Sequence, residues 1–310
     1  MTTLPSALSN VKVIATHNGP FHADEVLAVA VLLALSPKAS VSKVVRTRDP
    51  KLLEAADVVV DVGGVYNPAT LRFDHHQKGG AGERESNTIK YSAAGLVWKE
   101  FGTAFCQGNA TVANMVDAEF ISAVCALDNG QGSRSLTDNL DHVTFSDTIS
   151  AFNPTWLEES DDLAFTSAFE AAVFWARNYL DRAVAQAKAR AAAVNALDGA
   201  ISEAADSRVI VLNRFMPVMD DLVAKSDTAL YLVFPQASDW LVQCVPPSPG
   251  SFAQRKPLPA AWAGLRGSDL ADVTGVTDAV FCHNGRFIGG ASSREGAVAL
   301  ATLAANYLAK

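Results

Sequence analysis

The segment that most constrains the fold is THNGPFHADE, residues 16–25, which packs two histidines and two acids between two strongly apolar stretches. Val11, Val13, Ile14 and Ala15 before it read as a buried strand. The unbroken apolar run from Val26 to Leu35 after it reads as a helix, so the polar residues fall at a strand-to-helix switch. Crevices at such switches are where α/β sheets hold ligands. Desolvating His17, His22 and Asp24 without partners costs several kcal/mol, a penalty that one cation would remove for all three. Taken alone, the segment fits equally a strand-capping histidine, an ordinary buried one, and Asp24 or Glu25 favouring a helix N-terminus.

The same pattern recurs downstream. DVVVDV, residues 57–62, reads as a strand buried on both faces of a parallel sheet, and it delivers Asp61 to its end just before Gly63 and Gly64. An acid that follows three valines is hard to place at a surface, and a carboxylate there can bridge two cations. DHHQ, residues 74–77, offers adjacent histidines whose side chains diverge in extended or turn geometry. One of His75 and His76 can then ligate while the other faces substrate or a carboxylate. Ser92 to Phe101 and Ala110 to Leu127 read as helices, the second ending at Asp128-Asn129-Gly130 and leaving Asp128 as an acid after an apolar run. His17, His22, Asp24, Asp61, His75 and Asp128 are more ligands than one ion needs. Two divalent ions bridged by a carboxylate, with Asp61 as the expected bridge, would use them all and suit phosphoryl displacement. Mixed imidazole and carboxylate ligation favours Mn²⁺, Fe²⁺ or Zn²⁺ over Mg²⁺.

Arg46 and Arg48 close a strand expected over Val41 to Val45, ahead of a short helix opened by Pro50; Lys78, Arg84 and Lys90 lie in or beside a polar loop. These cations could hold substrate phosphate or simply be solvated. Gly132 to Pro154 reads as a long irregular segment, and His142 in it as a surface or structural residue. An alanine-rich helical pattern from Asp161 to Leu197 reads as a domain connector. A second α/β unit starts near residue 200, with strands expected at Val209 to Leu212, Ala229 to Phe234, Trp240 to Val245, Ala279 to His283 and Arg286 to Ile288. Its last motif, Gly289-Gly290-Ala291-Ser292-Ser293-Arg294, leads into a helix reaching Leu308. Ser292, Ser293 and Arg294 fit a phosphate or carboxylate site, and fit equally a hairpin followed by a Ser-capped helix.

At 310 residues and 49% hydrophobic content the chain can bury a large core as one or two domains. Its four cysteines show no CxxC pairing, and its first residues carry neither a basic nor an apolar block, so a reducing, cytoplasmic setting is expected. The longest apolar run, Val26 to Leu35, falls short of the roughly 20 residues that span a bilayer, and no membrane role is expected. A net charge of −8 disfavours a protein that coats duplexes. It leaves room for a single strand or a nucleotide held through metal and a few local cations.

In order, Asp24, Asp61, DHHQ and Asp128 resemble the motifs of the DHH phosphoesterase superfamily, which includes manganese pyrophosphatases and single-strand exonucleases. More closely, THNGPFHADE, VVRTRDP, DVGGVYNP, RFDHHQ, DNG, NPTW, RKPLPAAWAGLR and FIGGASSREGA resemble the Myg (melanocyte proliferating gene) family along nearly the whole chain. The resemblance implies an α/β architecture with a DHH-type parallel-sheet N-terminal catalytic domain, residues 1–160. A connecting helix, 161–199, and a smaller α/β C-terminal substrate domain, 200–310, would follow. It implies two divalent ions, Mn²⁺ first among them. One would sit on His17, His22 and Asp61, the other on Asp24, Asp61, His75 and Asp128, with His76 turned to the substrate phosphate. His22 stands where the wider superfamily usually has Asp. The implied activity is a 3′-to-5′ exoribonuclease releasing mononucleotides from single-stranded RNA or a short oligonucleotide. A small-molecule phosphatase or pyrophosphatase is the alternative. A non-catalytic nucleotide-binding regulator is disfavoured, because a retired site need not retain costly buried charges. Oligomeric state stays open, a homo-oligomer included.

Overall fold

A computed structural model describes residues 5–37, 43–132, 135–137 and 140–308, so Val41 of the expected second strand lies outside the described residues. The chain forms two compact units, residues 1–188 and 189–310.

In the first unit, β1 (Val13–Thr16) leads into α1 (Ala23–Leu35), then β2 (Lys43–Arg46), α2 (Pro50–Ala55) and β3 (Val58–Val60). Next come β4 (Tyr66–Asn67) and β5 (Arg72–Phe73). The sheet order is β2-β1-β3-β5-β4, with β2, β1, β3 and β5 parallel and β4 antiparallel at the edge. The chain leaves β1 toward β2 through α1 and returns to β1's other side as β3. The carboxyl ends of β1 and β3 therefore flank a topological switch point, where an open α/β sheet has its crevice. Ala15 and Val59 pack with Leu53 of α2, while Ile14, Val58 and Val60 point to the opposite face and are wholly buried.

The apolar run read as a helix is one, and all of α1 except Leu33 and Ala34 is buried. A helix apolar on every face belongs inside the core. Each of its Val and Leu side chains contributes about 1.5–3 kcal/mol by leaving water. That anchors the residues at its first turn. Against α1 lie α3 (Ala93–Phe105) and the helical run α4 (Ala110–Val116), a π turn (Asp117–Ile121) and α5 (Ser122–Asp128). By length and composition Ala110–Asp128 could cross a membrane; half of it is buried, and its packing on α1 and α3 is that of a core helix. Its π turn presents Asp117 to Arg84, which is buried and bonded bidentately at 2.8 Å, so Arg84 is a structural cation and not part of a substrate mouth.

The segment read as irregular carries a small hairpin, β6 (Ser135–Thr137) with β7 (Leu140–Asp141), and α6 (Phe145–Ser150). A Thr144–Asp147 capping box starts α6, and Phe145 packs on Phe120, Trp175 and Tyr179. The long alanine-rich pattern is α7 (Asp162–Ser202).

The second unit has strands β8 (Val209–Val211), β9 (Tyr231–Gln236), β10 (Asp239–Cys244), β11 (Ala279–Cys282) and β12 (Ile288–Ala291). Helices α8 (Met219–Lys225), α9 (Gly267–Thr274) and α10 (Arg294–Asn306) complete it. The order is β11-β12-β10-β9-β8, antiparallel except between β8 and β9. Alternate residues pack to the two sides: Tyr231, Val233 and Val242 toward Leu300 and Ala304 of α10, Leu232, Phe234 and Leu241 toward Leu197 of α7 and Leu222 of α8.

Gly289 and Gly290, expected to follow the last strand, lie within β12 between β10 and β11. A Cβ on Gly290 would stand 2.9 Å from both the Leu241 side chain and the Trp240 carbonyl oxygen. The glycines serve close strand packing. Gly290→Ala is expected to destabilise the fold by about 1–3 kcal/mol, seen as a lower urea midpoint; an unchanged midpoint would contradict this packing.

Candidate metal centre

The carboxyl ends of β1 and β3, together with the segment after β5 and the end of α5, bring all six sequence-predicted ligands together. Three donor groups result: His17, His22, Glu25 and Asp61; Asp61, His75 and His76; and Asp24, His75 and Asp128, each with ligand atoms within 4.8 Å of one another. Asp61 belongs to two of the groups and His75 to two. The Asp61 Oδ2 faces His17 Nε2 at 3.6 Å, and Oδ1 faces His75 Nε2 at 3.3 Å and His76 Nδ1 at 3.5 Å. His75 Nε2 also lies 3.2 Å from Asp128 Oδ2.

Backbone geometry sets this up. Asp61 has φ +56°, a left-handed conformation unusual for a residue with a Cβ, costing on the order of 1–3 kcal/mol. It is held by its N–H donating to the Phe73 carbonyl. Gly63 and Gly64 follow with φ +97° and +69°, and that turn aims the Gly64 N–H at Asp74. Asp74, itself buried, also accepts from the His76 N–H at 3.0 Å and pairs with His76 Nδ1 at 2.7 Å. The acid of DHHQ thus orients the second histidine, whose side chain is 62% exposed and lines the cavity.

At the start of α1, His22 is the N-cap residue, and its N–H donates to Glu25 Oε1 at 2.9 Å. The same Oε1 is 2.8 Å from His17 Nε2. Glu25 is fully buried, with Oε2 unpartnered among the described residues. Sequence reading gave Glu25 only a helix-dipole role; the His22-x-x-Glu25 spacing of a capping box was the signal that returns its carboxylate toward the strand end. Asp24 accepts from the α3 N-terminus: Ser92 Oγ and the Ala94 N–H on Oδ1, the Ala93 N–H on Oδ2. Asn153 holds the other side of the loop, accepting from the Phe21 N–H and donating to the Phe21 carbonyl, both at 2.9 Å.

A cavity of about 590 Å³ opens over these groups, lined by His17, His22, Asp24, Asp61, Asp74, His76 and Asp128. Arg48, Ala23, Val62, the two glycines, Val124, Leu127, and Ser146 and Ser150 of α6 complete the wall. Of Arg46, Arg48 and Lys78, the wall includes Arg48 alone. Arg46 donates to the Gly19 carbonyl and stacks on Phe21 and Phe169 at 5.4 and 4.9 Å, so it braces the loop; burial lowers its pKa. Arg48 also donates to Asn18, and Lys78 is exposed. In the second unit, Ser293 caps α10 through the Gly296 N–H, and its own N–H and hydroxyl donate to Asp278. Here the Ser-capped helix is what forms, with Ser292 and Arg294 exposed beside it.

These donors fit divalent cations. Asp61 Oδ1, His75 Nε2 and Glu25 Oε2 are buried without hydrogen-bond partners, a costly arrangement that a positive charge between them resolves. Without metal, the imidazoles must supply that charge. Burial opposes protonation of His17, but Asp61 and Glu25 outweigh it and push its pKa up to about 10. Burial likewise opposes protonation of His75, which Asp128 and Asp61 push up to about 11. Burial would raise the Asp61 carboxyl, yet the same histidines hold it down to about 2. Asp24 goes the other way, raised by burial and then by Asp128 and Asp61.

Both histidines are therefore protonated at neutral pH in metal-free protein, and a cation at their Nε2 atoms must displace those protons. Calorimetric titration of Mn²⁺ in buffers of different ionisation enthalpy should show release of at least two protons at pH 7, from His17 and His75 and then from the raised Asp24, with affinity rising as pH rises. Proton-neutral binding would contradict the ligand set.

Known proteins align with nearly the whole chain. A family model labelled MYG1 exonuclease, described as an uncharacterised protein family (UPF0160), matches residues 13–305. The chain is 36% identical over 323 residues to the MYG1 exonuclease of Mus musculus, covering 94% of this chain and 84% of that protein. It is 34% identical over 318 residues to the Homo sapiens MYG1 exonuclease, with 93% and 84% covered. Against the MYG1 protein of Schizosaccharomyces pombe it is 32% identical over 329 residues, with 97% and 99% covered. No solved structure matches the chain. With a family model and relatives aligned along nearly its whole length, this chain belongs to the MYG1 exonuclease family.

Proposed function

We propose that this protein is a two-metal-dependent phosphodiesterase that removes mononucleotides from the 3′ end of single-stranded RNA, with Mn²⁺ as its usual ion. The observation that carries the reading is Asp61, whose two oxygens face separate donor groups, as a carboxylate shared by two cations would. Electrostatics adds a second argument. Asp24, Asp61 and Asp128 line one cavity and Glu25 belongs to the same donor cluster, an acidic set that would repel a phosphodiester unless cations neutralise it. When bound, such ions activate water and offset charge on the attacking and leaving oxygens. His17, His22, Glu25 and Asp61 would hold one; Asp24, Asp61, His75 and Asp128 would hold the other.

The remaining residues act on the substrate. Asp74 fixes Nδ1 of His76, which leaves Nε2 to hydrogen-bond a phosphate oxygen or give a proton to the departing one. Arg48 on the wall supplies a fixed positive charge to the same phosphate. Val124 and Leu127 line the cavity as apolar walls that limit access of bulk water. The exonuclease names of the mouse and human relatives support the same chemistry. A phosphatase or pyrophosphatase of small molecules is the second reading, favoured by the net charge of −8.

Asp61→Asn is expected to lose bound Mn²⁺ and at least about a hundredfold in turnover, with the far-UV circular dichroism of the wild type. His76→Ala should keep its metal while kcat falls by about 10²–10⁴; loss of metal there instead would make His76 a ligand. With 5′-labelled single-stranded RNA, the products should form a ladder that shortens one nucleotide at a time. Internal cuts, or hydrolysis of pyrophosphate alone, would favour the second reading.

A further inference from the structure

One motif holds the metal-site loop at its first residue and leaves its last residue in solvent. NPTW, residues 153–156, begins with the Asn153 clamp on Phe21, the residue before His22, and ends in an indole that is 89% exposed. Such exposure of the largest side chain costs free energy unless something covers it in use. The indole is also not on a loose loop. The Glu158 N–H donates to the Thr155 carbonyl at 3.0 Å, and the Thr155 N–H and hydroxyl both donate to Glu158 Oε2 at 2.7 Å. Trp156 and Leu157, the latter 75% exposed, are the two central residues of this closed turn. A preorganised turn that displays an aromatic face has already lost the entropy that binding would cost.

Its place is set by the chain. Three residues span at most about 11 Å, so Trp156 lies within that distance of Asn153, which clamps the residue before His22 and itself follows by three residues the end of α6, whose Ser150 lines the cavity. That is within reach of the first few nucleotides of a strand whose end occupies the cavity. Charge argues for stacking as the mode of contact. A chain of net charge −8, with Arg48 as the cationic side chain of the cavity wall, has little to gain from counterion release along a strand. An aromatic face accepts any base with affinity that depends weakly on salt.

We infer that the Thr155–Glu158 turn is a stacking platform on which the Trp156 indole holds a nucleobase of the single strand, close to its 3′ end. The inference rests on the exonuclease reading. The test compares wild type, Trp156→Ala and Trp156→Phe, all as the full chain with Mn²⁺, on a single-stranded RNA decamer and on decamers carrying one abasic ribose at each position in turn.

Trp156→Ala should raise KM for the intact decamer about tenfold with kcat unchanged, and Trp156→Phe should restore most of the loss. The dependence of KM on salt should keep its slope. At one abasic position near the 3′ end, wild type and Trp156→Ala should become equal, because the stacked partner is gone. If wild type degrades the decamer and Trp156→Ala does so with the same KM, the platform is overturned and the exonuclease reading stands. Should wild type leave every RNA intact while hydrolysing a small phosphate ester, the exonuclease reading fails and takes the platform with it. A shift from dimer to monomer on Trp156→Ala, measured by sedimentation with KM unchanged, would assign the turn to self-association instead.

Discussion

The structure depends on the charge balance around Asp61. Five carboxylates, those of Glu25, Asp24, Asp61, Asp74 and Asp128, meet His17, His22, His75 and His76 at one end of a parallel sheet, and most are screened from solvent. Burying that many acids is strongly unfavourable unless positive charge is shared among them. Protonated imidazoles can supply it, as the raised pKa values of His17 and His75 show. Divalent cations supply more of it and leave the imidazole nitrogens as ligands. A cation entering the site would therefore exchange with protons, and Asp61 faces both imidazoles that would give them up.

The fold meets this requirement by rigidity on every side. α1, buried almost throughout, fixes the first-turn residues Asp24 and Glu25. The α3 N-terminus grips Asp24, Asn153 grips the Phe21 backbone, and Arg46 and Arg48 brace the carbonyls of Gly19 and Asn18. Asp61 is kept in a left-handed backbone conformation that its neighbours must enforce. Strain at one residue, held by bonds from several elements, is the expected mark of a preorganised site.

Much of this was legible in the chain. The valine run before Asp61 marked a doubly buried strand, the apolar run after His22 marked a core helix, and DHHQ marked paired histidines; each signal is local in the sequence. Glu25 was read for its position on a helix dipole, because its contact with His17 needs the exact path of the loop between them. Arg46 and Arg48 look alike in sequence, and only tertiary contacts turn Arg46 onto two phenylalanine rings while Arg48 reaches the cavity. At Gly289-Gly290 the sequence allows part of an anion site or of a hairpin, and the close approach of the partner strands places both glycines in a strand.

The central claim is that Asp61 joins two cations. Anomalous diffraction from crystals grown with Mn²⁺ tests it most directly. The account predicts two peaks about 3.5–4 Å apart, one beside each Asp61 oxygen, the first against His17 and the second against His75. A single peak that does not touch Asp61, or none within the cavity, would contradict it.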